Sequence, residues 1–207
     1  MPKFSVIVPA FNAEDRIRKV LSSIRNQGNI DQEKDVELIV ICDSCKDNTA
    51  KIAREEFNAI VEEVEFGNDG LSRSRGLDIA TGEWVMFLDD DDWWLHEYVL
   101  ELVSNVIIAH KSNFDICQFS FIWKDKGYMH SISNPKRMFA NVWTKCFKRS
   151  FIGDTRFPNV YSVSDFEFLK KLKPKNPTVV FVDSPIYYYN WLRPGSISEQ
   201  SRHKSAE

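Results

Sequence analysis

Four consecutive carboxylates, Asp89-Asp90-Asp91-Asp92, follow directly on the apolar run Trp84-Val85-Met86-Phe87-Leu88 and precede Trp93 and Trp94. Four like charges at the end of a buried strand repel one another, and a globular protein seldom keeps them there without a cation. Oxygen-only ligands suit a hard ion such as Mg2+ or Mn2+, which completes its shell with phosphate oxygens when one or two carboxylates hold it. The plainer reading is a solvated acidic turn that caps a helix starting near Leu95, because Asp is favoured at helix N-termini. A second stretch, Cys42-Asp43-Ser44-Cys45, has the spacing of a thioredoxin-like redox pair placed after a strand and ahead of a helix. A zinc site would need two further ligands, and Cys117, Cys146 and the four histidines show no second metal-type spacing.

The elements that must position these residues begin with Phe4 to Val8, apolar at nearly every position and ended by Pro9, which reads as a strand buried on both faces. Asn12 is expected to cap a helix with Glu14 and Asp15 in its first turn and Ile17, Val20, Leu21 and Ile24 on its buried face. The unit repeats as a strand over Val36 to Ile41, a polar loop and a helix from about Asp47 to Phe57. A weaker strand, Ala59 to Val64, precedes a helix over Leu71 to Ala80 that Gly82 stops, and Glu83 to Leu88 is the strand that delivers the carboxylates. Such alternation predicts parallel strands with ligands bound beyond their carboxyl ends. Loops Pro9 to Glu14, Cys42 to Asp47 and Asp89 to Asp92 then meet at one edge, with Arg73 or Arg75 as the cation among them.

Past a helix over Leu95 to Ala109 the pattern changes. Ile116, Phe119, Phe121 and Trp123 partly alternate with polar residues, and Gly127 to Ser133 reads as a partner strand, so a mixed or antiparallel extension is expected. Val142 to Phe151 is aromatic and basic. Asp165 to Leu172 reads as a helix that Ser164 or Asp165 would cap, and Thr178 to Val182 and Ile186 to Trp191 read as late strands. Trp143 and Trp191 bring aromatic side chains to these stretches, residues that more often belong to the core and its rim.

With 207 residues, 43% apolar and 28% charged, the chain fits one soluble globular domain. A net charge of −3 leaves no electrostatic footprint for nucleic acid. No apolar run approaches the roughly 20 residues that span a bilayer and no signal-like N-terminus is present, so the default compartment is the cytoplasm, with peripheral membrane contact compatible. Four cysteines are too few for a secreted disulfide framework.

Taken together the motifs resemble the family 2 glycosyltransferases, inverting enzymes of GT-A fold that use nucleotide-diphosphate sugars. Phe4 to Asn12 is similar to the family's opening strand and Val-Pro-x-Tyr-Asn turn, with Phe11 in place of the usual Tyr. Glu37 to Thr49 resembles the second strand and its Asp-Asp-Gly-Ser-x-Asp-x-Thr loop, with Cys42 replacing the first Asp and Ser44-Cys45 replacing Gly-Ser. Gly82 to Trp93 is similar to the strand carrying the Asp-x-Asp metal motif. Val163-Ser164-Asp165-Phe166-Glu167 resembles the segment with the catalytic base, with Ser164 replacing the Glu of a Glu-Asp pair. Tyr187 to Trp191 with Gly195-Ser196-Ile197-Ser198 resembles the closing aromatic strand. Near Gly70 to Gly76 the sequence is about two residues shorter than the family's Gly-x-x-x-Ala-Arg-Asn-x-Gly, and Arg73 matches its arginine better than Arg75.

The resemblance implies an α/β GT-A type nucleotide-binding fold: a mostly parallel central sheet flanked by helices, with a short antiparallel acceptor-side extension. It implies a single domain over 1–207, with residues 1–110 as the nucleotide-sugar half and 111–200 as the acceptor half. It further implies sugar transfer with inversion from a nucleotide-diphosphate donor, UDP-linked by family frequency, to a glycan or lipid-linked acceptor. Asp165 would be the general base and Asp91 the ligand of Mg2+ or Mn2+. Pro9, Phe11, Asn12, Glu14, Asp43, Arg73 and Asp89 would line the nucleotide site, Asp43 contacting the base, with Asp90 pointing away along the chain's alternation. The rival readings are a non-catalytic nucleotide-sugar-binding module and a thiol-disulfide protein using Cys42 and Cys45.

Overall fold

The structure is a computed structural model, which describes residues 3–125, 128–133, 137–160 and 163–190. Trp191 and the Gly195 to Ser198 motif lie outside those residues. In chain order the elements are β1 (Phe4–Ala10), α1 (Ile17–Arg25), α2 (Gln32–Asp35), β2 (Val36–Asp43), α3 (Thr49–Phe57), β3 (Ile60–Val64), α4 (Asp69–Ile79), β4 (Trp84–Phe87), β5 (Trp93–Trp94), α5 (Val99–Ala109), β6 (Ile116–Asp125), β7 (Tyr128–Ile132), β8 (Lys145–Lys148), α6 (Arg149–Ile152), α7 (Ser164–Leu172), a 3-10 turn (Lys173–Lys175) and β9 (Val179–Tyr189).

These strands form one sheet in the order β3-β2-β1-β4-β8-β6-β9-β5, with β7 paired to β6. The pairs β3/β2, β2/β1, β1/β4 and β6/β9 are parallel, and β8 and β5 run antiparallel to their neighbours. The sheet is therefore mixed and mostly parallel, as expected.

Why the first strands are apolar at every position follows from the period of 2: Phe4, Val6 and Val8 face one core with Leu38, Val40, Trp84 and Met86, while Ile7 faces the other with Ile39, Ile41, Val85 and Phe87. The first core is closed by α1 (Ile17, Val20, Leu21, Ile24), α3 and α5, the second by α4, α6 and α7 (Phe168, Leu169, Leu172). Each such fully buried Leu or Ile contributes about 1.5–3 kcal/mol.

Several expected boundaries differ. Asn12 does not cap α1, which starts at Ile17 behind Arg16; Asn12 is left-handed at φ 43°, and its Oδ1 accepts the Lys46 N–H at 2.8 Å. Glu14 and Asp15 accordingly precede the helix. The helix expected from Leu95 starts at Val99, because Trp93 and Trp94 pair with Tyr188 and Tyr187 of β9. The two late strands are one, β9, irregular opposite Ser120 where Pro185 cannot donate to the ladder. Within the aromatic and basic stretch, Lys145–Lys148 is a strand inserted beside β4. Neither Ser164 nor Asp165 caps α7; Val163 holds that place without a side-chain bond.

Candidate functional site

The carboxyl ends of β1, β2 and β4 bring the three expected loops together around the acidic turn. That turn closes by a hydrogen bond from Asp92 N–H to Asp89 C=O of 3.2 Å, which puts Asp90 and Asp91 at its two corners. Its side chains diverge by alternation. On the α4 side, Arg73 Nη2 donates to Asp89 Oδ1 at 2.5 Å. On the α1 side, Asp90 Oδ2 accepts from the Phe11 N–H and from Arg16 Nη2, each at 2.9 Å. Asp92 turns inward, where Oδ2 accepts from the Tyr187 hydroxyl at 2.6 Å and Oδ1 from the Asn190 N–H at 2.7 Å. Asp89 and Asp90 are thus each paired with an arginine, while Asp92 is held by two neutral donors. Asp90 does lie away from Asp89, yet it pins the first loop rather than standing idle.

Burial still weighs on the cluster. It pushes the Asp90 carboxyl up to about 6 against the nearby Arg16 charge, with Asp91 adding to the rise. Burial also raises Asp89, opposed by Arg73 and reinforced by Asp165 and Asp91, and raises Asp92 well above the carboxylate range.

Arg73 is the centre of the arrangement. Its side chain is only 5% exposed, and it reaches Asp69 one helical turn back, Asp89 on the acidic turn and Asp165 on α7, the last at 3.8 Å. Burial alone would lower its pKa, but these three carboxylates outweigh it and keep the guanidinium charged. Arg75 points elsewhere, to Glu62 of β3. The structure therefore brings Arg73, and not Arg75, to the carboxylates of both halves.

Asp165 is one-fifth exposed. Its Oδ2 accepts the Val142 N–H at 2.9 Å, while Oδ1 has no hydrogen-bond partner. Burial raises its pKa above the usual 3.8, opposed by Arg73 and the Val142 N–H. The turn that supplies Val142 is shaped by buried Lys145, whose ammonium donates to the Phe139 carbonyl at 2.9 Å and to that of Asn141. Burial pushes this ammonium down to about 7.

The remaining expected residues are placed as follows. Asp43 is 6% exposed, and its oxygens accept from the N–H groups of Phe66, Gly67 and Asn68 and from the Ser72 hydroxyl. These bonds hold the Asp43 carboxylate against the Phe66–Asn68 turn, which it shapes. Glu14 faces Asn48, accepting its backbone N–H at 2.9 Å and its side-chain amide at 3.0 Å. Phe11 presents a ring that is 59% exposed at the edge of the site, and Pro9 is paired within β1 opposite Ile41. Trp143 is core: 3% exposed, it stacks on Tyr187 and Tyr189 at 4.4 and 5.1 Å.

Three residues of the site carried no readable signal: Arg16, Asp69 and Lys145 are ordinary turn, helix and strand residues in sequence, and only the fold aims them at the carboxylates.

The family model described as Glycosyl transferase family 2 matches residues 5–184. The chain belongs to glycosyl transferase family 2. Among its relatives, the poly(ribitol-phosphate) beta-N-acetylglucosaminyltransferase TarP of Staphylococcus aureus is 33% identical over 83% of this chain and 50% of its own length. A GalNAc(5)-diNAcBac-PP-undecaprenol beta-1,3-glucosyltransferase of Campylobacter jejuni is 30% identical over 76% of this chain and 55% of its own. A crystal structure of S. aureus TarS in complex with UDP-GlcNAc superposes with a TM-score of 0.81 at 25% identity, covering 95% of this chain and 60% of that one. The architecture is the GT-A fold. The chain spans 31% and 60% of the length of two further family 2 relatives, Streptococcus pneumoniae GlyA and Bacillus subtilis EpsH.

The Cys42 to Cys45 loop lies within the residues that the family model matches. Cys42 is buried, and its thiol is pushed up by hydrogen bonding to Cys45 and by burial, while the same bond lowers Cys45. Among the described residues no three His, Cys, Asp or Glu side chains form a metal cage by themselves. A hard cation bound with a diphosphate needs only one or two carboxylates, and the oxygen-only donor set of the acidic turn fits that use.

Proposed function

We propose that this chain transfers a sugar, with inversion, from a UDP-linked donor to an acceptor hydroxyl, using Asp165 as general base. The observation that carries the reading is the Arg73 bridge, which sets Asp89 of the acidic turn and Asp165 of α7 against one buried guanidinium. A carboxylate for the donor side and one for the acceptor side are thereby held at a fixed separation by a single side chain.

Asp91, with Asp89, would hold Mg2+ or Mn2+, which supplies charge neutralisation to the leaving diphosphate. Phe11, 59% exposed, offers its ring to the nucleobase. Asp165 takes the proton of the acceptor hydroxyl as its oxygen attacks the sugar's C1 on the face opposite the diphosphate. The C1–oxygen bond to phosphate breaks and the nucleoside diphosphate leaves with the electron pair. An ionised carboxylate with an oxygen free of hydrogen bonds is suited to that role. Relatives named for a poly(ribitol-phosphate) and for an undecaprenol-linked oligosaccharide support a polymeric or lipid-linked glycan as acceptor.

A thermal-shift panel of UDP, GDP and dTDP, with and without Mn2+, tests the donor side. UDP with Mn2+ should stabilise the chain by about 2.7 kcal/mol at 100 times its Kd, and Asp91→Asn should remove the Mn2+-dependent part. Equal stabilisation of both proteins with and without Mn2+ refutes the metal role.

A further inference from the structure

Tyr187 is fully buried in β9, 0% exposed, with its ring stacked on Trp143 at 4.4 Å. A buried phenol needs partners for its hydroxyl, and both of its functions are spent on one turn. It donates to Asp92 Oδ2 at 2.6 Å and accepts from the Asp89 N–H at 3.3 Å. It therefore braces the first residue of the acidic turn against the fourth, leaving Asp90 and Asp91 at the corners between. The rest of the segment docks on the same strand: Asn190 N–H on Asp92, Leu95 N–H on the Ile186 carbonyl, and Trp94 opposite Tyr187.

The strand and the stacking partner come from the acceptor side of the chain. Trp143 adjoins Val142, whose N–H holds Asp165. A path of contacts thus runs from Asp165 through Val142, Trp143 and Tyr187 to Asp89, and returns through Arg73 to Asp165.

We propose that Tyr187 is a positioning residue for donor binding, its hydroxyl fixing the acidic turn so that Asp91 meets the cation carried by the donor diphosphate. This rests on the UDP-donor reading above. Tyr187 touches neither donor nor cation and acts through Asp89 and Asp92. Without its hydroxyl, Asp92 loses a buried hydrogen bond, the Asp89 N–H loses its acceptor, and the turn is free to spread.

Titration calorimetry of UDP, with and without Mn2+, on wild type and Tyr187→Phe tests this; the substitution keeps the ring that stacks on Trp143. The expected result is that the Mn2+ enhancement of UDP affinity falls about tenfold in the variant, the loss of one buried hydrogen bond, while metal-free UDP affinity is unchanged. A merely structural role would lower the melting temperature and weaken UDP binding equally in both conditions. An unchanged enhancement in Tyr187→Phe overturns the role of Tyr187 alone. Absence of any Mn2+ enhancement in wild type overturns the metal reading and this role with it. If Tyr187→Phe unfolds before titration, Asp92→Asn carries the same comparison with the same outcomes, because an amide keeps the shape but cannot accept from both the Tyr187 hydroxyl and the Asn190 N–H.

Discussion

Arg73 satisfies three carboxylates from three segments, and its removal leaves them facing one another in a poorly solvated place. Arg73→Met should cost about 3–5 kcal/mol of stability, the range for removing one partner of a buried ion pair. Arg75→Ala, which breaks a pair with both side chains about a third exposed, should cost less than about 1 kcal/mol. Denaturant midpoints of the two variants check this, and equal losses would mean that Arg73 is not the hub. Sequence pattern left the two arginines nearly equivalent, because they differ by two positions on one helix and only the packing of α4 on the sheet separates them. Asp165 was legible through its motif, whereas the roles of Arg16 and Lys145 were not, since a lone basic residue near a helix start or in a basic strand reads as surface. The raised pKa of Asp165 also has a kinetic consequence. Because the base must be ionised, turnover should fall as pH falls through a midpoint above the ordinary 3.8, and a midpoint at or below that value would contradict the burial of this group.

At the level of elements, α4 must lie close against β1 for Arg73 to reach the acidic turn, and two glycines allow it. A Cβ on Gly76 would stand 2.4 Å from Ile7 Cγ2, and one on Gly82 would stand 2.5 Å from the Ser5 backbone nitrogen. The Gly82 neighbour is main chain of a central strand and cannot step aside. Gly82→Ala should therefore destabilise the fold by about 1–3 kcal/mol, as overpacking does, and a thermal midpoint equal to wild type would show that β1 and β4 can separate. Much of the first half was readable because β1, β2 and β4 are buried and largely apolar and α1 carries one clear stripe, Ile17, Val20, Leu21 and Ile24. The second half was not, for identifiable reasons. Strand β8 begins and ends in Lys and carries its first one buried, and the two tryptophans of β5 follow four charges. Strand β9 is interrupted by Pro185, so that one strand reads as two.

For the whole molecule, one continuous sheet joins the parallel strands β1 to β4 to the later strands, and β8 and β6 are its splice. No helix of the described residues is long and apolar enough to cross a membrane. Asp89, Asp90 and Asp92 have pKa values raised in the folded state, so between the unfolded value near 3.8 and the folded values these groups bind more protons in the native protein than in the unfolded chain. Metal-free protein should therefore lose stability as pH rises from about 4 to 7, and UDP with Mn2+ should restore it. A melting temperature that climbs through that window would show that the turn is not under electrostatic load. The central claim, that one buried guanidinium holds a donor site and a base in register, is tested most directly by the rate of sugar transfer from UDP-GlcNAc in Asp165→Asn, with UDP affinity measured on the same sample. The account predicts a rate lower by about 10²- to 10⁴-fold with UDP affinity unchanged, whereas a normal rate in that sample would place the base on another side chain.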